Sequence, residues 1–302
     1  MRDWIDFALV RDFAAEDTAA YRICSRSDGW VERYGNDVLV SYKTEGARTE
    51  ILRGLDEWSA SSREKFERVF GRFLPRQNAE RHPPKLLSGN HELPLQTTVL
   101  ERGVSYGLDF EAGYSTGLFL DQRENRQLVR RMGPRRLLNC FAYTCSFSVV
   151  AGLGGAETLS IDLSKKSLNR GRDNLLLNRL PTAPHRFLTD DVMSVLPRLA
   201  RKGERFDAII LDPPTFSRSR AGKAWQVEND FEKLLFAAVE VAERDAKILL
   251  STNCTKLNER ALEVMGRFCL KATRRAGRFQ FSPQLPDFPP GVAARSIWMI
   301  LR

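Results

Sequence analysis

The sequence predicts an α/β protein, with a doubly wound parallel sheet in its C-terminal part and a smaller α+β domain before it. In residues 135–301, short apolar runs alternate with helical runs, as in a parallel sheet whose two faces are covered by helices. The run Ala208-Ile209-Ile210-Leu211 has no polar alternation, which is typical of a strand buried on both faces. Residues 30–41 carry a hairpin signal instead. These observations predict the fold class.

The C-terminal elements follow one another closely. Strands are expected at residues 135–141, 158–163, 185–189, 206–211, 247–252 and 296–301. Helices are expected at residues 147–153, from the N-cap Ser164 to residue 178, through Leu196 and Leu199, and at 231–241 and 260–270. The carboxyl ends of the parallel strands should meet at one edge, where open α/β sheets bind their ligands.

The N-terminal part has other signals. Turn chemistry at Gly35-Asn36 predicts a hairpin over residues 30–41, and a second hairpin is expected over residues 97–108. Apolar spacing predicts a helix from Glu50 to Phe73. Residues 76–89 are polar and contain Pro83-Pro84, so they are the best linker candidate.

Composition limits the class of protein. The 302 residues are enough for about two domains, and 42% hydrophobic with 28% charged residues fits a soluble protein with a core. No apolar run approaches the roughly 20 residues of a membrane helix, and no signal peptide is recognisable. The cysteines are five and scattered, and only three histidines accompany them. We therefore expect a cytoplasmic protein without disulfides or zinc.

Net charge favours an anionic partner. The formal charge is +9 and the pI is about 9.5, which is typical of proteins that bind nucleic acid. Charge alone names no partner, so a basic protein without one is the alternative.

Acidic residues follow three of the predicted strands. Asp162 ends the second strand, Asp190-Asp191 the third and Asp212 the fourth. Each acid alone is more often a helix cap, but together they favour a ligand site. Such a set suits S-adenosylmethionine, whose ribose hydroxyls and adenine amino group need acceptors. The turn 139–146 leads into a helix N-terminus, whose N–H groups can meet the methionine carboxylate.

Other nucleotide-binding patterns are excluded. The turn 139–146 has no glycine and is not a dinucleotide fingerprint, and no phosphate-binding G-x-x-x-x-G-K-[ST] loop occurs. The string Asp212-Pro213-Pro214-Thr215, with Phe216 next, stiffens the backbone beside a carboxylate. Several methyltransferases face a flat nitrogenous ring with such a string. A proline-rich turn with an aspartate cap is the alternative.

From Gly113 to Arg302 the sequence resembles the methyltransferases that modify bases of large-subunit ribosomal RNA, in the group that makes 5-methylcytosine or N7-methylguanine. The resemblance is carried by segments 117–126, 138–144, 161–164, 190–192 and 212–216. Residues 18–113 resemble the small α+β domain that precedes the catalytic domain in that group. An N-terminal PUA domain is expected to be absent, because the chain begins too late to hold it.

The resemblance implies a Rossmann-like class I methyltransferase domain at residues 113–302, with a mostly parallel seven-stranded sheet. Residues 1–112 would form the N-terminal domain, with a role in contacting RNA or substrate, and a homodimer is compatible with the family. The cofactor would be S-adenosylmethionine. The implied cofactor-binding residues are Gln122, Arg123, Asn139, Phe141, Tyr143, Thr144, Asp162, Leu163, Asp190, Asp191 and Asp212.

One position departs from the family pattern. The family turn continues Tyr-Thr-Gly, and this chain has Cys145 at the glycine position. Because glycine permits positive φ and close backbone approach, the cysteine is expected to narrow the cofactor pocket or shift the turn.

Asp212 and Cys254 are the candidate catalytic residues. Methylation of cytosine at C5 requires a thiolate that adds to C6, and Asp212 would then bind the ring edge and protonate N3. Cytosine-C5 relatives have Ser-Cys-Ser where this chain has Asn253-Cys254-Thr255. Guanine-N7 relatives have asparagine there and no required thiol, and the string 215–217 is closer to their type. A small buried hydrophobe is the ordinary alternative for Cys254.

Residues around and beyond the Asp-Pro-Pro string are candidates for RNA contact, because cations and aromatic rings hold looped RNA. They are Pro213, Pro214, Phe216, Arg218, Arg220 and Lys223. A solvated loop is the alternative. A second basic stripe at helical spacing is formed by Arg123, Arg126, Arg130 and Arg131. The resemblance implies that Arg123 lies on the cofactor side, and a solvated face is the alternative for the others. The target base should be unpaired or flipped out. The alternatives to an RNA methyltransferase are a small-molecule or protein methyltransferase and an RNA-binding relative that has lost catalysis.

Overall fold

The computed structural model describes residues 3–75, 80–218 and 224–302. The chain divides into two compact units. One comprises Met1–Leu120 with Leu285–Pro289, and the other comprises Asp121–Gln284 with Pro290–Arg302. None of the helices in the described ranges has the length and apolar character to cross a membrane.

The first unit is an α+β structure. Its elements are α1 (Phe7–Ala15), β1 (Ala20–Arg26), β2 (Gly29–Tyr34), β3 (Asp37–Tyr42), α2 (Glu45–Ser62), β4 (Arg68–Phe73), β5 (Lys85–Gly89), β6 (Gln96–Glu101) and β7 (Val104–Asp109). Strands β1 to β5 form one sheet in sequence order, in which β3 and β4 are parallel. Strands β6 and β7 form a separate hairpin, and both predicted hairpins are confirmed.

The prediction of one helix from Glu50 to Phe73 is wrong. Helix α2 ends at Ser62, and Arg63 adopts the left-handed conformation with φ 61°. The following apolar residues belong to β4, where Phe70 is buried and stacks on Phe110 at 3.9 Å between ring centroids. Phe66 and Phe70 are four residues apart, which is also the spacing of one helix face. The residues from Arg68 onward form a strand instead, because they pair with β3.

The predicted linker at residues 76–89 is wrong in its last part. Residues 85–89 form β5, which pairs with β4 in antiparallel orientation. Residues 76–79 lie outside the described residues. The remaining stretch, residues 80–84, has no regular secondary structure.

The second unit holds the doubly wound sheet. After a 3-10 turn at Leu120–Gln122 come α3 (Arg123–Met132), β8 (Arg136–Cys140), α4 (Ser146–Leu153), β9 (Glu157–Asp162), α5 (Lys165–Leu177), β10 (His185–Thr189), α6 (Val192–Arg201) and β11 (Phe206–Leu211). There follow β12 (Phe216–Arg218), β13 (Ala224–Gln226), α7 (Val227–Glu240), β14 (Ala242–Thr252), α8 (Glu259–Ala272), β15 (Gly277–Phe281) and β16 (Arg295–Leu301).

The large sheet has seven strands in the order β10-β9-β8-β11-β14-β16-β15. The first five are parallel, and β16 is antiparallel to both its neighbours. This is the predicted Rossmann-like fold class, and each predicted strand is found. Strand β15 was not predicted, because its residues are mostly exposed and carry no continuous apolar run.

The connections place a ligand site at one edge of this sheet. From β8 the chain proceeds through β9 and β10 on one side and through β11 and β14 on the other. The carboxyl ends of β8 and β11 therefore flank a topological switch point, where open α/β sheets bind ligands. Apolar side chains of these strands, including Leu138, Ile209 and Ile248, pack with α6, α7 and α8 into one core that fixes the strand ends.

Candidate active site

Three aspartates lie at the carboxyl edge of adjacent strands. Cys140 at the end of β8 pairs with Ile161 of β9 and Leu211 of β11. The next residues, Asp162 and Asp212, therefore lie at the same level on either side of β8. Asp190 is close by, since its N–H donates to the carbonyl of Asp162 at 3.1 Å. The predicted placement of these acids at one edge is confirmed, whereas their roles stay predictions.

The Asp162 carboxylate organises the turn that follows β8. Its Oδ2 accepts from the N–H of Tyr143 and its Oδ1 from the N–H of Ser164, both at 2.8 Å. Burial raises the pKa of Asp162, and these two backbone hydrogen bonds oppose that rise. Each oxygen keeps a second lone pair, so the carboxylate can also accept from the two hydroxyls of a ribose.

The turn itself has an unusual backbone. Phe141, Tyr143 and Cys145 have φ of 58°, 48° and 60°. Within this turn the N–H groups of Ala142, Tyr143 and Cys145 donate to the Ile161 carbonyl, the Asp162 carboxylate and the Ala142 carbonyl. Helix α4 begins directly after it, so its first N–H groups face the same edge.

Two other predicted cofactor residues hold this turn in place. Asn139 is buried in β8, and its amide donates to Ser148 Oγ at 3.0 Å. Thr144 is buried as well, and its carbonyl accepts from Asn174 Nδ2 at 2.9 Å.

Cys145 occupies the glycine position of the family turn, and its side chain is directed into the protein interior. Its side chain is fully buried and packs with Ala142, Leu168 and Phe187. It also rests on Gly171 of α5, where an added Cβ would overlap with Cys145 Sγ and lie 2.9 Å from Cys145 Cβ. The effect of Cys145 on the cofactor pocket therefore stays a prediction. Burial raises the pKa of this thiol to about 12, so it is protonated and unsuited to nucleophilic chemistry.

The close contact between Cys145 and Gly171 predicts that a substitution at one position can compensate for a substitution at the other. Gly171→Ala is expected to lower the free energy of unfolding by about 1–3 kcal/mol, because overpacking forces a buried side chain to shift. The double variant Gly171→Ala with Cys145→Gly should recover most of that loss, since the overlapping thiol is gone. Urea denaturation of the four members of this double-mutant cycle measures the coupling. Additive losses would contradict the contact.

Asp212 is held by donors from two elements. Gln122 Nε2 donates to Asp212 Oδ2 at 3.2 Å and to Ser251 Oγ at 2.8 Å. Burial, and next the charge of Asp121, raise the pKa of Asp212 to about 7, although Ser251, Arg126 and Gln122 oppose the rise. A carboxyl group with this pKa is protonated in a substantial fraction of molecules at neutral pH, so it can donate a proton.

Further polar residues fix the orientation of Gln122, and the sequence did not single them out. Asn125 Nδ2 donates to Gln122 Oε1 at 2.8 Å. Asn125 Oδ1 in turn accepts from Ser282 Oγ at 2.7 Å and from Trp298 Nε1 at 3.0 Å. Ser282 and Trp298 are distant from Asn125 in sequence and carry no local motif, so only the fold reveals them.

Cys254 follows β14, the strand beside β11, and lies two residues past its end. It is 3% exposed, and its thiol donates to Glu228 Oε1 of α7 at 3.5 Å. The other oxygen of Glu228 accepts from Lys256 Nζ at 3.0 Å. Glu228 and Lys256 were not predicted site residues.

The remaining predicted residues have mixed surroundings. Asp191 is the N-cap of α6, and Asp190 forms an ion pair with Arg198. Leu163 is half-buried. The Phe141 ring lies 5.7 Å from that of Trp225, whose Nε1 donates to the Pro214 carbonyl at 3.0 Å.

The predicted RNA-contact residues are described only in part. Pro213 is buried, whereas Pro214 is exposed and Phe216 is 53% exposed. Arg218 belongs to β12 by its backbone. Its side chain, together with Arg220 and Lys223, lies outside the described residues.

The predicted basic stripe on α3 contains both buried and exposed arginines. Arg123 and Arg126 are both 1% exposed, so the expectation of a solvated face is wrong for Arg126. Arg126 Nη1 is 3.5 Å from Ser146 Oγ at the start of α4, and its charge lowers the pKa of Asp212. Arg130 and Arg131 are exposed in the last turn of the helix, where cations are favoured.

The sheet order, the switch point and the carboxylates at its edge define an α/β enzyme of the kind that binds a nucleoside cofactor. The family model of the S-adenosylmethionine-dependent methyltransferases matches residues 48–298, and the chain belongs to this family. Its cofactor is S-adenosylmethionine. The site fits that molecule, since Asp162 can accept from ribose hydroxyls and the N-terminus of α4 suits a carboxylate.

Individual proteins are similar over much of the chain. Ribosomal RNA large subunit methyltransferase I of Aeromonas salmonicida is 36% identical over 209 residues, which are 67% of this chain and 52% of that protein. The chain thus spans about half the length of the curated relatives it matches. The crystal structure of SMU.776, a proposed methyltransferase complexed with SAH, superposes with a TM-score of 0.84 at 25% identity, covering 98% of this chain and 78% of that one. A proposed S-adenosylmethionine-dependent methyltransferase from Streptococcus mutans gives 0.81 at 26% identity, with the same coverage.

Proposed function

We propose that the chain transfers a methyl group to a base of large-subunit ribosomal RNA. Relatives at 36% identity carry that activity in their names, and the net charge of +9 favours a polyanionic partner. The observation that carries the proposal is Asp212, a carboxyl group with a pKa of about 7 at the switch point. Such a group suits the edge of a nitrogenous ring, because it can donate or accept a proton near neutral pH.

S-adenosylmethionine supplies a methyl group on a sulfonium centre. In this proposal Asp162 accepts from the ribose hydroxyls, and the N-terminus of α4 binds the methionine carboxylate. We assign the adenine end to Asp190 and Asp191, which follow β10, the strand next to that of Asp162. SMU.776, which was crystallised with SAH, supports this location through the shared fold.

Cytosine C5 is the acceptor that we propose. This carbon is too weak a nucleophile unless a thiolate adds to C6, and Cys254 follows the strand next to that of Asp212. Asp212 would protonate N3 as the sulfur adds. The contact between Cys254 and Glu228 supports the assignment, because a carboxylate beside the thiol provides a route for its proton.

Guanine N7 is the second candidate. Asn253 precedes Cys254, as the resemblance to guanine-N7 enzymes requires, and the thiol is 3% exposed. A ring nitrogen needs only positioning for direct displacement at the sulfonium methyl. In that case the thiol would be a packing residue.

Nucleoside mass spectrometry of large-subunit ribosomal RNA, from cells with and without the protein, tests the proposal. Loss of one 5-methylcytidine is the expected result, and loss of one 7-methylguanosine would favour the second candidate. Unchanged ribosomal nucleosides would contradict the proposal. RNA affinity that does not fall with added salt would also count against it, and would favour a small-molecule or protein substrate.

A further inference from the structure

A carboxylate connects the Cys254 thiol to solvent. Glu228 Oε1 accepts from Cys254 Sγ at 3.5 Å, and Glu228 Oε2 pairs with Lys256 Nζ at 3.0 Å. The Cys254 residue is 3% exposed, whereas the Glu228 side chain is 37% exposed. Glu228 therefore touches the buried sulfur on one side and water on the other.

The cytosine-C5 reaction moves two protons at this place. When sulfur bonds to C6, the thiol loses its proton, the C5–C6 π pair shifts toward C4, and the C4–N3 π pair becomes a lone pair that takes a proton from Asp212. When C5 uses the C4–C5 π pair to bond the methyl group, the N3 lone pair re-forms the C4–N3 double bond and the N3 proton returns to Asp212. The C5 hydrogen must then leave as a proton. Its bonding pair then re-forms the C5–C6 double bond, and the sulfur departs with the C6–S pair.

We propose that Glu228 is the proton acceptor for both steps, an inference that rests on the proposed cytosine-C5 function. It takes the thiol proton during addition and releases it to water. It then removes the C5 proton and returns it to the departing thiolate, which restores the S–H···O hydrogen bond seen in the structure. One proton is released per methyl group transferred, which balances the loss of the sulfonium charge.

The stereochemistry favours a base at this position. When sulfur and the methyl group reach C6 and C5 from opposite faces of the ring, the C5 hydrogen ends on the face of the sulfur. A carboxylate in contact with the sulfur lies on that same face. Gln122, Ser251 and Asp212 form a separate hydrogen-bonded group, so they do not compete for this position.

Local charge keeps Glu228 ready to accept a proton. Lys256 and Cys254 are the titratable groups that face it among the described residues, and the hydrogen bond from Lys256 is the main cause that lowers the pKa of Glu228. Glu228 also lies in the first turn of α7, where the helix dipole favours a negative charge.

The variant Glu228→Gln keeps the shape of the side chain and removes its basicity. We expect methyl transfer to RNA to fall by about 10²-fold or more, which is the usual contribution of a positioned base. We also expect a covalent RNA–protein adduct, stable in SDS, to accumulate above the wild-type level. Addition can still proceed with water as the proton acceptor, whereas removal of the C5 proton has lost its base.

Glu232→Gln is the matched control, because Glu232 is exposed on the same helix and carries the same charge. It should transfer methyl groups at the wild-type rate and show no adduct. Cys254→Ser in the Glu228→Gln background should remove the adduct.

Two results would overturn the inference. One is a Glu228→Gln variant that transfers methyl groups as fast as the Glu232→Gln control. The other is loss of turnover without an adduct, together with a lowered melting temperature, which indicates a packing role. Failure of the proposed function itself is distinguishable. In that case wild-type protein forms no adduct even with RNA that contains 5-fluorocytidine, and its product is a different methylated nucleoside.

Discussion

Replacement of Asp212 by asparagine is expected to lower the rate of methyl transfer by about 10²- to 10⁴-fold, the range typical of general acid–base groups. The substitution keeps the size of the side chain and its contact with Gln122, but an amide cannot protonate cytosine N3. Transfer of a radiolabelled methyl group to ribosomal RNA measures the effect. Asp245→Asn, at an exposed position of β14, is the control and should be indistinguishable from wild type.

The pH dependence of Asp212 has a definite sign. Because its pKa is raised to about 7, kcat/KM should be highest when the group is protonated and should fall as the pH rises above 7. A profile that is flat from pH 6 to 8.5 would contradict the role of Asp212 as proton donor.

The raised pKa of Asp212 also predicts an effect on the stability of the protein. The native state holds the Asp212 proton up to a higher pH than the unfolded chain does, so stability declines as the pH rises from about 4 to about 7. Each pKa unit corresponds to about 1.4 kcal/mol, so the loss in the free energy of unfolding is at most about 4 kcal/mol. Asp212→Asn should therefore be more stable than wild type at pH 8, and the gain should shrink near pH 4. Denaturant titrations at the two pH values measure it.

The second large effect is expected from Cys254→Ser. If the sulfur adds to C6, serine should lower transfer to cytosine by on the order of 10⁴-fold or more, as for loss of a nucleophile in other enzymes. Quantification of 5-methylcytidine after reaction with ribosomal RNA tests this.

Cys269→Ser, the same change at another free and buried cysteine, serves as the control for folding. Transfer that is nearly intact in Cys254→Ser would refute the covalent mechanism. Formation of 7-methylguanosine at the wild-type rate by Cys254→Ser would instead favour guanine N7 as the acceptor.

Much of the second unit could be predicted from the sequence. Strands such as β11 contain continuous apolar runs, here residues 208–211, and burial on both faces dictates that composition. The acids at the strand ends could also be placed, because parallel strands end at a common edge. The N-terminal helix was overextended because Phe66 and Phe70 repeat at a helical spacing. Their use in and before β4 depends on pairing with β3, which no local pattern encodes.

The parts of the site that could not be predicted depend on contacts between residues distant in sequence. Glu228 and Cys254 are 26 residues apart, and Gln122 and Asp212 are 90 apart. Neither pair has a characteristic spacing. The contact between Cys145 and Gly171 could not be predicted either. The need for a glycine at position 171 of α5 becomes visible only when the turn is seen to pack against that helix.

Calorimetric titration with S-adenosylmethionine tests most directly whether the carboxyl edge of β8, β9 and β11 is the cofactor site. Wild-type protein and the control Asp173→Ala, an exposed position on α5, should bind alike. Asp162→Ala should bind at least about tenfold more weakly, because a buried hydroxyl pair then loses a charged acceptor worth roughly 1.5–3 kcal/mol. Unchanged affinity in the Asp162→Ala variant would contradict this location of the site.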